Sequence, residues 1–212
     1  MNARIDTVVF DLGGVLIDWN PRYLYRELFD DEVRMEWFLS HICTPEWNAM
    51  QDAGRTFDEA TRELVERHPE HEDDIRAYYT RWVDMLAGPI EGSVDVLRDV
   101  RSSPYRLYAL TNWSAESFPI ARNRYSFLDL FDGIVVSGEI GMVKPDPEIF
   151  DHLRKVFDVV PHESVFIDDV SANVEAAKDA GYHAIRFENP DQLRADLTDL
   201  GVKLNNSRDT TK

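Results

Sequence analysis

A chain of 212 residues is long enough for one sizeable domain, or for a core with a small accessory domain. Its 43% hydrophobic and 30% charged residues exclude a disordered or fibrous class. The 40 Asp+Glu against 23 Lys+Arg leave a formal charge of -17, which repels nucleic acid and anionic membrane surfaces.

The same field repels small anionic substrates, so a site for a phosphorylated molecule needs local positive charge. Cys43 is the only cysteine, which excludes an internal disulfide. The N-terminus has no basic segment followed by a long apolar run, and no stretch approaches the roughly 20 apolar residues that span a bilayer. These features predict a cytoplasmic protein with no membrane and no nucleic-acid partner.

In chain order, the first apolar run, residues 7–10, reads as a strand buried on both faces. From about Asp18 to Gly88 there is no convincing strand; amphipathic helices are predicted over 23–29, 32–39, 57–67 and 74–86. Strands then recur at 107–110, 134–136, 165–167 and 184–187, between helices near 94–101, 115–124, 148–157 and 173–180. Pro147 suits the first turn of its helix and Gly181 the position just past the end of another. The tail 205–212 is polar and reads as frayed. This alternation predicts an α/β fold, a Rossmann-like doubly wound parallel sheet built from residues 1–17 and 89–212. The helical stretch 18–88 reads as a cap inserted after the first strand, with junctions near Ile17 and Gly88-Pro89.

Four segments carry chemistry. Asp11 follows a buried strand directly and precedes Gly13 and Gly14, which let the backbone approach a ligand closely. A plainer reading makes Asp11 a turn cap. Thr111 and Asn112 end a second strand with groups that bind phosphoryl or carboxylate oxygens, though both are also ordinary helix N-caps. Lys144 precedes Pro145, so it is expected to sit extended before a helix, aiming its ammonium into a crevice or simply into solvent. Asp168 and Asp169 end a further strand, with Asn173 beyond them. Adjacent carboxylates raise each other's pKa unless a cation compensates, and a hard oxygen-loving ion such as magnesium is the natural partner. The alternative is a pair of solvated turn aspartates.

Together these segments resemble the haloacid dehalogenase superfamily, whose motifs are a strand-end Asp, a Thr or Ser, a Lys and an acidic pair, with a cap where the helical insert lies here. The resemblance covers nearly the whole chain. It implies that Asp11 is the nucleophile, forming an aspartyl-phosphate that water hydrolyses, and that Mg2+ is held by Asp11, the Gly13 carbonyl and Asp169, with Asn173 in support. It further implies that Thr111 and the Asn112 amide bind the transferring oxygens. Lys144 would neutralise Asp11 and the phosphoryl group, and Asp168 would hold Lys144 or a metal-bound water.

One position departs from the pattern. Most phosphatases of this superfamily carry a second Asp two residues after the nucleophile as general acid, and here that residue is Gly13. Three readings follow. The first is a phosphomonoesterase acting on a small phosphorylated metabolite, for which a branch resembling glucose-1-phosphate phosphatases, with a similar Asp-Leu-Gly segment, suggests a sugar phosphate. Either its leaving group needs little help, as the fairly acidic anomeric hydroxyl of a sugar 1-phosphate would, or its acid comes from elsewhere, with Asp18, His41, Glu46 and Asp52 as candidates. The second is a metal-independent 2-haloacid dehalogenase, against which the acidic pair argues. The third is a non-catalytic ligand-binding homologue. For substrate recognition the stretch 44–55 offers Trp47 for stacking and Asn48, Gln51 and Arg55 for hydrogen bonds, or else a cap helix end with Trp47 in its core. Trp19 and Trp113 flank two of the motifs and are expected to line the pocket wall. The chain would act as a monomer or homodimer.

Overall fold

The computed structural model describes residues 4–204; the expected frayed tail lies outside them. After β1 (Thr7–Phe10) the chain turns tightly into a short strand, β2 (Ile17–Trp19). Five helices follow: α1 (Pro21–Leu28), α2 (Glu32–His41), α3 (Pro45–Asp52), α4 (Phe57–Arg67) and α5 (Glu72–Thr80). A 3-10 turn, Trp82–Met85, leads into β3 (Leu86–Pro89). Helices and strands then alternate through α6 (Glu91–Arg101), β4 (Arg106–Thr111), α7 (Phe118–Arg124) and β5 (Gly133–Val136). The chain closes with α8 (Ser137–Ile140), α9 (Pro147–Phe157), β6 (Ser164–Asp168), α10 (Ser171–Asp179), β7 (His183–Arg186) and α11 (Pro190–Asp199).

Five strands form one parallel sheet in the order β5-β4-β1-β6-β7. Their runs are rich in Val and Ile because both faces are covered. Val8 and Phe10 pack into one core with α6 and α11, whereas Val9 packs into a second with α9. This period-two division makes the core doubly wound, as the strand and helix rhythm predicts. The register sets Phe10 opposite Ala109 and Ile167, so the residues that follow these strands meet at one edge. That edge holds the carboxyl ends of the strands, where parallel sheets place their ligands.

The insert is built by local rules. Thr44 and Thr56 accept hydrogen bonds from Trp47 and Glu59 N–H as N-caps, Pro45 fits the first turn of α3, and Glu59 completes a capping box. Two details differ from expectation. The insert is flanked by strands: β2 and β3 pair antiparallel, Ile17 with Pro89, Asp18 with Gly88 and Trp19 with Leu86. The helix expected through residue 86 therefore stops at Thr80, since Gly88 and Pro89 favour extended chain over helix. Likewise the helix expected from 115 starts at Phe118, with Pro119 in its first turn. Among the described residues no helix is long and apolar enough to cross a membrane.

Candidate active site

Asp11 leaves β1 between the ends of β4 and β6, its N–H bonded to the Ile167 carbonyl at 2.8 Å. Its Oδ1 accepts from Leu12 N–H at 2.7 Å and meets the Lys144 ammonium at 2.9 Å. The same ammonium donates to Asp168 Oδ2 at 2.7 Å. All three side chains are buried. Lys144 reaches this point because its backbone is clamped: Asn112 Nδ2 donates to the Lys144 carbonyl and Asn112 Oδ1 accepts from the Lys144 N–H, both at 2.8 Å.

Asp168 is satisfied on every side. Besides Lys144 it accepts from Val170 N–H at 2.8 Å and from Asn173 Nδ2 at 3.0 and 3.1 Å. Asp169, half-buried, has its carboxylate against the turn at Gly14. A β-carbon on Gly14 would fall 2.5 Å from Asp169 Oδ2, and Gly14 has φ +73, so only glycine lets the turn pass under this carboxylate. Oxygens of Asp11, Asp168 and Asp169 lie within 4.8 Å of one another.

The electrostatics follow from this crowding. Burial pushes the Asp11 carboxyl up to about 7, against the pull of Lys144 and with added repulsion from Asp168 and Asp169. Burial and then Asp168 raise Asp169 above the ordinary carboxylate value. Burial disfavours the Lys144 ammonium, but Asp11 and Asp168 outweigh it and hold its pKa above the usual value. Three carboxylates thus face one ammonium, an excess of negative charge that a divalent cation would relieve. The donor set is all oxygen, as a hard ion requires. Because Asp168 is already saturated, Asp11 and Asp169 are the carboxylates with capacity for it. The turn's backbone bonds run from Leu16 and Ile17 to the Leu12 carbonyl and from Gly14 to the Ile17 carbonyl, so none uses the Gly13 carbonyl.

Thr111 ends β4 with its hydroxyl buried and without a partner among the described residues, a polar group free to bond a ligand oxygen. Both side-chain amide atoms of Asn112 hold the Lys144 backbone, and the Asn173 amide nitrogen bonds Asp168.

A cavity opens between the insert and the core beside Gly13 and Asn112. Its walls are aromatic: Trp19, Phe57, Tyr79, Trp82 and Trp113. Phe57 stacks on Tyr79 with centroids 3.8 Å apart, and Trp82 lies 5.8 Å from Trp113. Asn48, Asp52, Ser114 and Ser117 supply its polar groups. Trp19, Asn48 and Trp113 therefore stand where the sequence suggested. Trp47, Gln51 and Arg55 do not line the cavity. The stretch that carries them is the helix α3 and its exit. Trp47 packs 5.2 Å from both Tyr78 and Tyr79 inside the insert. Buried Gln51 bonds the Trp47 carbonyl and the Tyr79 hydroxyl, and Arg55 bonds Gln51 at 2.7 Å and Glu63 at 3.0 Å. Gln51 and Arg55 direct their hydrogen bonds into the insert, whereas the buried Trp47 indole N–H has no partner among the described residues.

The insert is latched to the core near this cavity. Ser137 Oγ donates to the Asp52 carbonyl at 2.6 Å and accepts from Trp113 N–H at 2.9 Å, and Glu116 accepts from Phe57 N–H at 2.7 Å. Sequence reasoning missed Phe57, Tyr79, Trp82, Ser114, Ser117 and Ser137. The i, i+3 spacing of Tyr79 and Trp82 was the one available signal.

Comparison with known proteins agrees with the geometry. Residues 5–181 match the haloacid dehalogenase-like hydrolase family model. The chain is 30% identical over 181 residues to the sesquiterpene phosphatase astK of Aspergillus oryzae, covering 85% of this chain and 89% of the relative. It is 26% identical over 212 residues to a D-ribitol-5-phosphate phosphatase of Bacteroides thetaiotaomicron, covering 92% and 97%. Its fold is shared by a HAD-like hydrolase from Porphyromonas gingivalis, with a TM-score of 0.74, 24% identity, and 95% and 100% of the two chains covered. A Bacteroides thetaiotaomicron HAD enzyme, solved as an Asp-to-Ala mutant with magnesium and inorganic phosphate, aligns at a TM-score of 0.67 and 22% identity over 87% and 95%. The chain belongs to the haloacid dehalogenase-like hydrolase family.

Proposed function

We propose that this hydrolase is a magnesium-dependent phosphomonoesterase that transfers the phosphoryl group of a small organic phosphate to Asp11 and then to water. The observation that carries the reading is the Lys144 ammonium set between Asp11 and Asp168, with Asp169 beside them. A halide displaced from carbon needs no such excess of acid, whereas phosphoryl transfer to a carboxylate needs positive charge gathered around it.

In this mechanism Asp11 Oδ1 stays with Leu12 N–H and Lys144, and Oδ2, the freer oxygen, attacks phosphorus. Lys144 also offsets the charge of the incoming phosphate, and the Thr111 hydroxyl bonds one of its oxygens. Asp11, Asp169 and the Gly13 carbonyl would hold the magnesium ion, which supplies charge compensation for the phosphoryl oxygens. Asn112 and Asn173 position Lys144 and Asp168. The helices between β2 and β3 act as the cap, closing over the substrate and excluding water.

The magnesium and phosphate complex of the Bacteroides enzyme and the phosphatase relatives support this assignment. The aromatic walls favour a substrate with a flat or apolar body, or a sugar face that stacks. Phosphate release from 4-nitrophenyl phosphate, measured with magnesium and with chelator, tests it. Metal-dependent turnover lost in Asp11→Asn supports the reading; chelator-insensitive chloride release from a 2-chloro acid, with no phosphate release, would replace it with a dehalogenase.

A further inference from the structure

We propose that Asp52, at the end of cap helix α3, is the general acid and base of the reaction, taking over the place that Gly13 cannot fill. The inference rests on the phosphomonoesterase reading above.

The turn after Asp11 offers no proton donor at Gly13, and the volume beside it is open: a β-carbon built there meets nothing within 4 Å. Asp52 lines the cavity that Gly13 borders, and is the one carboxyl among its described lining residues. The other groups the sequence offered lie elsewhere. Asp18 accepts the Tyr23 hydroxyl at 2.9 and 3.0 Å, exposed His41 stacks on Trp37, and Glu46 is exposed in the first turn of α3.

Asp52 belongs to the cap but is held by the core. Its carbonyl takes the Ser137 hydroxyl at 2.6 Å, and the Ser114 backbone N–H near its carboxyl opposes the rise in its pKa. The Asn48 amide approaches the same carboxyl at 3.4 Å. Among the described residues no cation is placed to neutralise it. The titratable groups that face it are Tyr78 and Tyr79, both held neutral by burial, and Arg55 is bonded to Gln51 and Glu63. The helix C-terminus adds negative potential that disfavours a carboxylate. Burial pushes the group up to about 7, which suits a residue that must give a proton and then take one.

The proton balance is simple. As Asp11 Oδ2 bonds to phosphorus and the phosphorus–oxygen bond to the leaving group breaks, protonated Asp52 gives its proton to that oxygen, releasing an alcohol. The Asp52 carboxylate then takes a proton from water as the water oxygen attacks phosphorus. The bond to Asp11 breaks, and phosphate departs with both groups restored.

Rapid-mixing kinetics of wild type and Asp52→Asn, in saturating magnesium, tests this with two esters: 4-nitrophenyl phosphate and a primary alkyl phosphate. Nitrophenolate leaves without a proton; an alkoxide does not. Asp52→Asn is expected to keep a burst of about one equivalent of nitrophenolate and then turn over slowly, because hydrolysis of the phosphoenzyme lacks its base. On the alkyl ester the variant shows no burst, and kcat falls by about 10²–10⁴-fold. The alkaline limb of the wild-type kcat/KM profile should vanish in the variant. Asp52→Glu should recover part of the loss, and adding Gly13→Asp to Asp52→Asn should restore alkyl turnover. Wild-type rates on the alkyl ester in Asp52→Asn overturn the proposal. So does an equal loss of burst and turnover on both esters that Asp52→Glu does not relieve, which would make the residue a packing group. An active wild type with an unimpaired Asp52→Asn removes only this inference. A wild type that releases no phosphate from either ester removes the phosphomonoesterase reading itself.

Discussion

Asp169 occupies the space that a side chain on Gly14 would need, its Oδ2 lying 2.5 Å from the position of that β-carbon. The pairing couples a backbone conformation to the acidity of the site. Gly14→Ala must both adopt φ +73 and push Asp169 aside, so it is expected to cost roughly 1–3 kcal/mol of stability from backbone strain. It should also weaken magnesium binding at least tenfold, read by calorimetric titration. Gly13→Asp, by contrast, enters open space; it should fold with a melting temperature near wild type and keep or raise phosphatase turnover. Magnesium bound by Gly14→Ala as tightly as by wild type would rule out the coupling.

Removing the ammonium is predicted to do more damage than removing either partner. Lys144→Met leaves two buried carboxylates facing each other, and loss of one member of a buried ion cluster costs about 3–5 kcal/mol. Urea unfolding at neutral pH in chelator measures it. Much of the loss should return in Lys144→Met with Asp168→Asn, since the second change removes one stranded charge. A double variant no more stable than the single would show that packing, and not charge, was lost.

Asn112→Ala separates positioning from chemistry. It removes the two 2.8 Å bonds that hold the Lys144 backbone while leaving every charge in place. The expected result is a destabilisation of about 1–3 kcal/mol and a fall in kcat with little change in KM. A rise in KM with kcat intact would instead place the amide on the substrate.

On the magnesium-dependent reading proposed above, the ion at about 100 times its Kd should stabilise the protein by about 2.7 kcal/mol, since only the folded chain would bring its ligands together. The gain should vanish in Asp169→Asn and be reversed by chelator. Equal thermal shifts in wild type and variant would move the ion away from Asp169.

A pH dependence follows from Asp52, whose carboxyl is raised from 3.8 to about 7 by burial. Below pH 3.8 both folded and unfolded chains hold this proton. Between 3.8 and 7 the unfolded chain gives it up first, so folding loses stability as pH rises, and above 7 the penalty is complete. Asp52→Asn removes the penalty. Its stability advantage over wild type is therefore expected to grow from near zero in acid to roughly 1–3 kcal/mol at alkaline pH, partial exposure keeping it below the full shift. Parallel stability curves for the two proteins across this range would contradict it.

Much of this molecule was legible in its sequence because strong signals sit in short segments. Runs such as 7–10 and 165–167, without polar alternation, announce a buried parallel sheet, and a carboxylate placed directly after each such run marks the ligand edge. What stayed hidden needed partners distant in the chain. β2 has three residues and β3 four, too few for a periodic pattern, and each exists because the other is there. Trp47 and Trp19 look alike in one dimension; only packing sends the first into the insert and the second to the cavity wall. α3 was masked by its polar composition, although Thr44 and Pro45 spelled out a helix start. The bonds of the Asn112 and Asn173 side chains, to the Lys144 backbone and the Asp168 carboxylate, depend on loop paths that the sequence does not reveal.

The pairing of β2 with β3 also has an engineering consequence. Chain entry to the five helices at Trp19 and exit from them at Leu86 lie opposite each other on one antiparallel ladder, where paired Cα atoms stand about 4.5–5.5 Å apart. A segment grafted in their place has to satisfy only that small gap between its ends, leaving the sheet beneath untouched. Inserts of quite different size could thus be exchanged on this scaffold without altering the strands that carry them.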